Sequence, residues 1–242
     1  MHENDRKKRR EELKQDPRDF EHRMHHAKMG LLTFFGKSLL PEGYWTSRGL
    51  GTAGDINHRV MHLTFDDGPH PDCTPELLAM LKEMDCTATF FFIGEHARRY
   101  PKLVEDVYRA GHTIGNHSLS HSFLPLLTRP QLEYEIDQSN QILEVITGEK
   151  PKLFRPPFGI IDKRGADMLK QRQMKAVYWG AVADDWQEVG TEVVVKRIMR
   201  QVGGHELIVL HEGHSLGHQN VNAARQLIER LRQMGFDFGP VV

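Results

Sequence analysis

From residue 60 onward, short apolar runs alternate with longer amphipathic segments, and this alternation constrains the fold more than any other feature of the chain. The runs fall at 60–65, 88–93, 113–115, 153–155, 176–179 and 207–210, with a last extended stretch at 236–241. Each has strand length, and within 60–65 the even and odd positions point to opposite faces. The segments between them carry helix signals. Thr74 reads as an N-cap with Pro75 at the first helical position. A helix from about 100 to 110 ends at Gly111, and a long one starts at Thr128 and Pro130 and ends at Gly148. Further helices are expected near 164–171, 192–202 and 220–234. Strands alternating with helices predict an α/β domain with a mostly parallel sheet, open or closed into a barrel. In such folds the chemistry gathers at the C-terminal ends of the strands.

Residues 1–58 read differently. Arg6-Lys7-Lys8-Arg9-Arg10 followed by Glu11 and Glu12 predicts a charged arm, and 29–58 a connector, leaving 59–242 as the domain that carries the chemistry. The apolar patch at 31–35 is expected to dock on that domain, with lying on a membrane surface as the alternative. A formal net charge of -1 supplies no field to attract nucleic acid or an anionic membrane. No apolar run approaches the roughly 20 residues of a membrane-spanning helix. Cys73 and Cys86 are too few for a disulfide framework and read as free thiols. With no apolar core of signal-peptide length, the expected location is cytoplasmic. Nothing in the sequence names a protein partner.

Polar and ionisable residues collect where the runs end. Asp66-Asp67-Gly68 follows the first, His117 and His121 the third, and Arg155-Pro156-Pro157-Phe158-Gly159 the fourth. Asp184-Asp185-Trp186 follows the fifth and His211 the sixth. Singly, each has an ordinary explanation. Asp-Gly makes turns, and fifteen histidines produce an i, i+4 pair by chance. On one rim they form a pattern. Adjacent carboxylates at a strand end point in different directions, so one can bind while the other does chemistry. His117 and His121, placed on one helical turn, can bite a single metal ion, and Asp67 as third ligand leaves a position open for water.

In this order the motifs resemble those of the polysaccharide deacetylase family, carbohydrate esterases that include the nodulation-factor chitooligosaccharide deacetylases. The resemblance covers roughly 60–240. It rests on Thr64-Phe65-Asp66-Asp67-Gly68, His117-Ser118-Leu119-Ser120-His121, Arg155-Pro156-Pro157-Phe158-Gly159, Asp185-Trp186 and Leu210-His211. It implies an irregular (β/α) barrel of about seven parallel strands. It also implies hydrolysis of N-acetyl groups on N-acetylglucosamine units of a chitin oligomer, peptidoglycan or a glycan precursor. The implied cofactor is one divalent metal, zinc first, with cobalt, nickel or iron also suited to the ligands Asp67, His117 and His121. Asp66 would be the general base and His211 the general acid, with Asp185 orienting His211 and Arg155 holding Asp66. The Phe158 N–H would receive the oxyanion, and Pro156, Phe158, Trp186 and Leu210 would shape the substrate pocket. Two departures bear on substrate fit: Glu212 stands where the family often has Asp, and Val182-Ala183 where it often has an Asp upstream of the Asp-Trp pair. Two alternatives keep the same frame: an amidase acting on a non-sugar substrate, and a non-catalytic glycan-binding relative.

Overall fold

A computed structural model describes residues 59–202, 207–213 and 217–241. The arm and connector expected at 1–58, with the patch at 31–35, lie outside the described residues. Among the described residues there are eight parallel strands: β1 (Arg59–Asp66), β2 (Thr89–Phe92), β3 (Thr113–Asn116), β4 (Leu153–Phe154), β5 (Lys175–Ala176), β6 (Ala181–Val182), β7 (Leu207–His211) and β8 (Phe236–Phe238). Seven run in the order β5-β4-β3-β2-β1-β7-β6, and β8 pairs with the first three residues of β1. The end strands β5 and β6 do not pair, so the sheet curls into an open half-barrel. The helices are α1 (Cys73–Glu83), α2 (Gly94–Arg99), α3 (Pro101–Arg109), α4 (Arg129–Thr147), α5 (Lys163–Gln171), α6 (Thr191–Met199) and α7 (Gly217–Gln233). None is long and apolar enough to cross a membrane. Cys73 and Cys86 are free and buried.

β1 shows how packing places the chemistry. Met61, Leu63 and Phe65 join Leu77 and Leu81 of α1, Ile198 of α6 and Leu227 and Ile228 of α7 in one apolar layer. His62, Thr64 and Asp66 take the other face by alternation. Each buried Leu or Phe contributes about 1.5–3 kcal/mol relative to an exposed one. A slip of one residue would drive the polar set into that layer. The register that buries Phe65 therefore also fixes Asp66 on the inner face. A smaller cluster of Phe91, Leu153, Val177, Leu207 and Val241 packs separately from that layer.

Three local expectations change. Thr74 lies inside α1, which begins at Cys73 after Asp72, and its hydroxyl turns to Glu212 instead of capping. A buried carboxyl has the stronger claim on it than a helix end does. The run at 176–179 is not one strand. β5 stops at Ala176, and the chain passes close under β7 at Gly180, where a Cβ would stand 2.2 Å from the Leu207 carbonyl oxygen, before β6 pairs with β7. Finally α2 precedes the helix expected from 100, separated from it by Tyr100 alone, with Pro101 opening α3. The α4 ends match expectation: Thr128 and Gln131 form a capping box, and Gly148 closes the helix at φ 79.

Candidate active site

The two carboxylates at the end of β1 have unlike surroundings. Asp66 is inaccessible to solvent, and its Oδ1 accepts from Arg155 Nη1 at 2.6 Å. The same Nη1 donates to Thr64 Oγ1 at 2.7 Å, and Arg155 Nε to the Val177 carbonyl at 3.3 Å. The guanidinium lies over the Phe91 ring, 4.2 Å from its centroid. Burial pushes the Arg155 pKa down, with Asp66 opposing. Removing one member of such a buried pair costs about 3–5 kcal/mol. Asp66 Oδ2 has no hydrogen-bond partner among the described residues. One oxygen is anchored and the other is buried with its hydrogen-bonding capacity unused.

Asp67 follows at φ 71, in the left-handed region. Its Oδ1 lies 3.3 Å from Nε2 of His117 and 3.3 Å from Nε2 of His121. The three ligand atoms fall within 4.8 Å of one another. Tetrahedral zinc bonds of about 2.0–2.2 Å set neighbouring ligands about 3.3–3.6 Å apart, which the two Asp67–histidine separations match. His117 Nδ1–H donates to the Arg155 carbonyl at 2.6 Å, which leaves the Nε2 lone pair toward Asp67. His96, not singled out in the sequence, donates from Nδ1 to the Asp67 carbonyl at 2.8 Å. Burial lowers the His121 pKa to about 4. Burial pushes Asp67 up, but His121, His117 and His211 outweigh it and hold the carboxyl well below its usual range. Lone-pair nitrogens beside an ionised carboxylate are a donor set that fits a divalent cation.

The two histidines are not on a helical turn. They sit in the loop after β3, where Ser118 (φ 65) and His121 (φ 58) are both left-handed, and the i, i+4 spacing works because the loop folds back. Residues missed from sequence hold it there. Asn116 Oδ1 accepts from the Ser118 N–H at 2.7 Å. Glu135 Oε2 accepts from the N–H groups of Leu119 and Ser120, each at 3.0 Å, and Oε1 from the Ser120 hydroxyl at 2.6 Å. Glu135 had a signal: it lies three residues from Leu132 and four from Ser139 on the buried face of α4, where an ionisable group needs a partner.

His211 ends β7 in register with Asp66. Its Nδ1–H donates to Asp185 Oδ1 at 3.0 Å and its backbone N–H to Asp185 Oδ2 at 2.7 Å. Asn220 of α7, also missed, donates to Asp185 Oδ2 at 2.7 Å and to the His211 carbonyl at 2.6 Å. Burial alone would lower the His211 pKa, but Asp185 outweighs it and raises the value to about 9. The Trp186 ring meets His211 edge-on with centroids 5.0 Å apart. Pro156 is buried, and the Phe158 ring lies 4.7 Å from His121 and 5.9 Å from Phe123.

Leu210 does not join this group. Alternation along β7 turns it into the apolar layer under the helices, while Val209 shares the His211 face. The expectation that Leu210 shapes the pocket is corrected accordingly. Among the described residues seven non-glycine positions have positive φ, and five of them, Asp67, Ser118, His121, Phe158 and Asp184, belong to the loops at this rim. Backbone held in such regions gathers at functional sites, where surrounding structure over-determines it.

Comparison with known proteins adds the following. The sequence profile of polysaccharide deacetylases matches residues 53–177. A peptidoglycan-N-acetylglucosamine deacetylase of Bacillus cereus is 33% identical over 84% of this chain and 93% of that protein. A peptidoglycan-N-acetylmuramic acid deacetylase of Bacillus subtilis is 33% identical over 75% of this chain, which spans only 38% of that protein. A chitooligosaccharide deacetylase of Azorhizobium caulinodans is 30% identical over 79% of this chain and 98% of that one. The crystal structure of a peptidoglycan N-acetylglucosamine deacetylase superposes with a TM-score of 0.74 at 30% identity, covering 78% of this chain and 88% of that one. A mutant of a family 4 pseudoenzyme with restored activity superposes at 0.72 and 26% identity, covering 78% and 68%.

Proposed function

This chain belongs to the polysaccharide deacetylase family, and on that premise we propose that it hydrolyses the N-acetyl group of an amino-sugar unit, N-acetylglucosamine first, in an oligo- or polysaccharide. One observation carries the reading: opposite proton-handling groups end two paired strands. Asp66 keeps a buried oxygen without a partner, and His211, charged by Asp185, holds a proton well above neutral pH. Amide hydrolysis needs both, a base for the water and an acid for the departing nitrogen.

A divalent metal such as zinc, held by Asp67, His117 and His121, would supply an acidified water and polarise the acetyl carbonyl. Asp66 takes the water's proton on Oδ2 while Arg155 holds Oδ1 still. The water oxygen bonds to the carbonyl carbon, and the carbonyl electron pair moves onto its oxygen, for which the Phe158 N–H is the proposed donor. His211 gives its proton to the nitrogen as the C–N bond breaks, leaving acetate and a free amine. Asp185, accepting from the Nδ1–H, keeps the ring oriented. Trp186 and Val209 supply apolar surface for the acetyl methyl.

The test is acetate release from acetylated chito-oligomers and peptidoglycan fragments, beside hydrolysis of a cyclic imide, with zinc and with chelator. The reading expects release from a glycan, lost with chelator and restored by zinc. Turnover of the imide alone would favour the non-sugar amidase. Glycan binding without release would favour the non-catalytic relative, which the pseudoenzyme neighbour keeps in contention.

A further inference from the structure

Glu212 is buried, ionisable and unused by the reaction above. Its backbone N–H donates to the Asp66 carbonyl at 3.0 Å, and its side chain is inaccessible to solvent. Oε2 accepts from the Thr74 hydroxyl at 2.6 Å, and Thr74 Oγ1 accepts in turn from the His70 N–H at 2.8 Å. Oε1 has no partner among the described residues. Gly68 makes room for it: a Cβ there would stand 1.8 Å from Glu212 Oε1 and 2.8 Å from its Cγ. The next residue closes on the same turn, since a Cβ at Gly213 would stand 2.4 Å from the Asp67 carbonyl oxygen. Burial, with Asp67 and Asp66 adding to it against the Thr74 hydrogen bond, pushes the Glu212 carboxyl up to about 8.

Burying a carboxyl is unfavourable even when it is neutral, so an apolar filler would serve packing better. What this carboxyl touches is the turn that presents the base and the metal-ligating carboxylate. Small displacements of such groups have large effects on rate. We propose that Glu212, tied to Thr74 and seated against Gly68, is a positioning residue that sets how the turn presents Asp66 and Asp67. It neither binds the metal nor carries the transferred proton. The inference rests on the metal-site reading of Asp67, His117 and His121, and it is independent of which glycan is the substrate.

Zinc affinity of the metal-free protein, measured by calorimetry, tests it beside kcat and KM on an acetylated chito-oligomer and the unfolding midpoint. Glu212→Gln keeps the shape and the Thr74 hydrogen bond and should retain zinc affinity near that of the parent. Glu212→Asp withdraws the carboxyl by one methylene and should weaken zinc by about 10–100-fold, with kcat falling and KM unchanged. Gly68→Ala should weaken zinc through its clash, and Gly68→Ala combined with Glu212→Ala should recover part of that loss, a coupling that independent sites do not show. Parental zinc affinity in Glu212→Asp, or strict additivity of the Gly68 and Glu212 substitutions, overturns the proposal. A parent that binds zinc but releases no acetate refutes the deacetylase reading and leaves the positioning inference standing on the zinc data.

Discussion

The β3 and β7 sides of the rim hold the same residue type in opposite states. On the β3 side His117 gives its Nδ1–H to a backbone carbonyl, and burial drives His121 down to about 4, so both rings present lone pairs. On the β7 side burial acts on His211 in the same direction, yet Asp185 reverses it and the pKa stands at about 9. A carbonyl oxygen orients an imidazole but barely favours its proton, whereas a carboxylate does both. On the reading proposed above, a carbonyl at Nδ1 suits His117 to be a ligand and a carboxylate at Nδ1 suits His211 to be an acid.

The harshest way to break the comparison is to empty the β3 side. His121→Ala should lose zinc binding in calorimetry and bring acetate release to the uncatalysed background. Next, Asp66→Asn should lower turnover by about 10²–10⁴-fold while zinc affinity stays, because Asp66 is not among the three proposed ligands; it should also lower the unfolding midpoint by leaving the buried Arg155 unpaired, and near-parental turnover would strip Asp66 of the base role. Asp185→Asn should make the β7 side resemble the β3 side. Because the folded pKa of His211 is raised from 6.5 to about 9, parental kcat should fall as pH rises through about 9. In the variant that fall should begin at lower pH. The stability that His211 gains from Asp185 is full below the unfolded value and lost as pH rises through the folded one. The gap in unfolding temperature between parent and variant should therefore shrink from pH 6 to pH 10. The mildest change, Glu135→Gln, loosens the loop of His117 and His121 and should weaken zinc by about tenfold.

The strand alternation made β1 legible, and with it the inner-face position of Asp66 and the helix-facing position of Phe65. The same rule assigns Val209 to the His211 face, whereas the pocket role expected of Leu210 came from the family resemblance and not from alternation. The His117/His121 pair was legible from spacing, although two left-handed residues and not a helix bring the rings together. Asn220 and His96 were not legible, because each serves a group on another element and only packing reveals the match. β5 and β6 have two residues each, too few to show a period.

Histidine ring ¹⁵N shifts, followed through a pH titration of the metal-free protein and then with added zinc, test the account most directly. It predicts that His211 stays an imidazolium through pH 8 while His121 is neutral at pH 7, and that zinc moves the Nε2 signals of His117 and His121 alone. A neutral His211 at pH 7, or zinc moving His211 instead of His117 and His121, would contradict it.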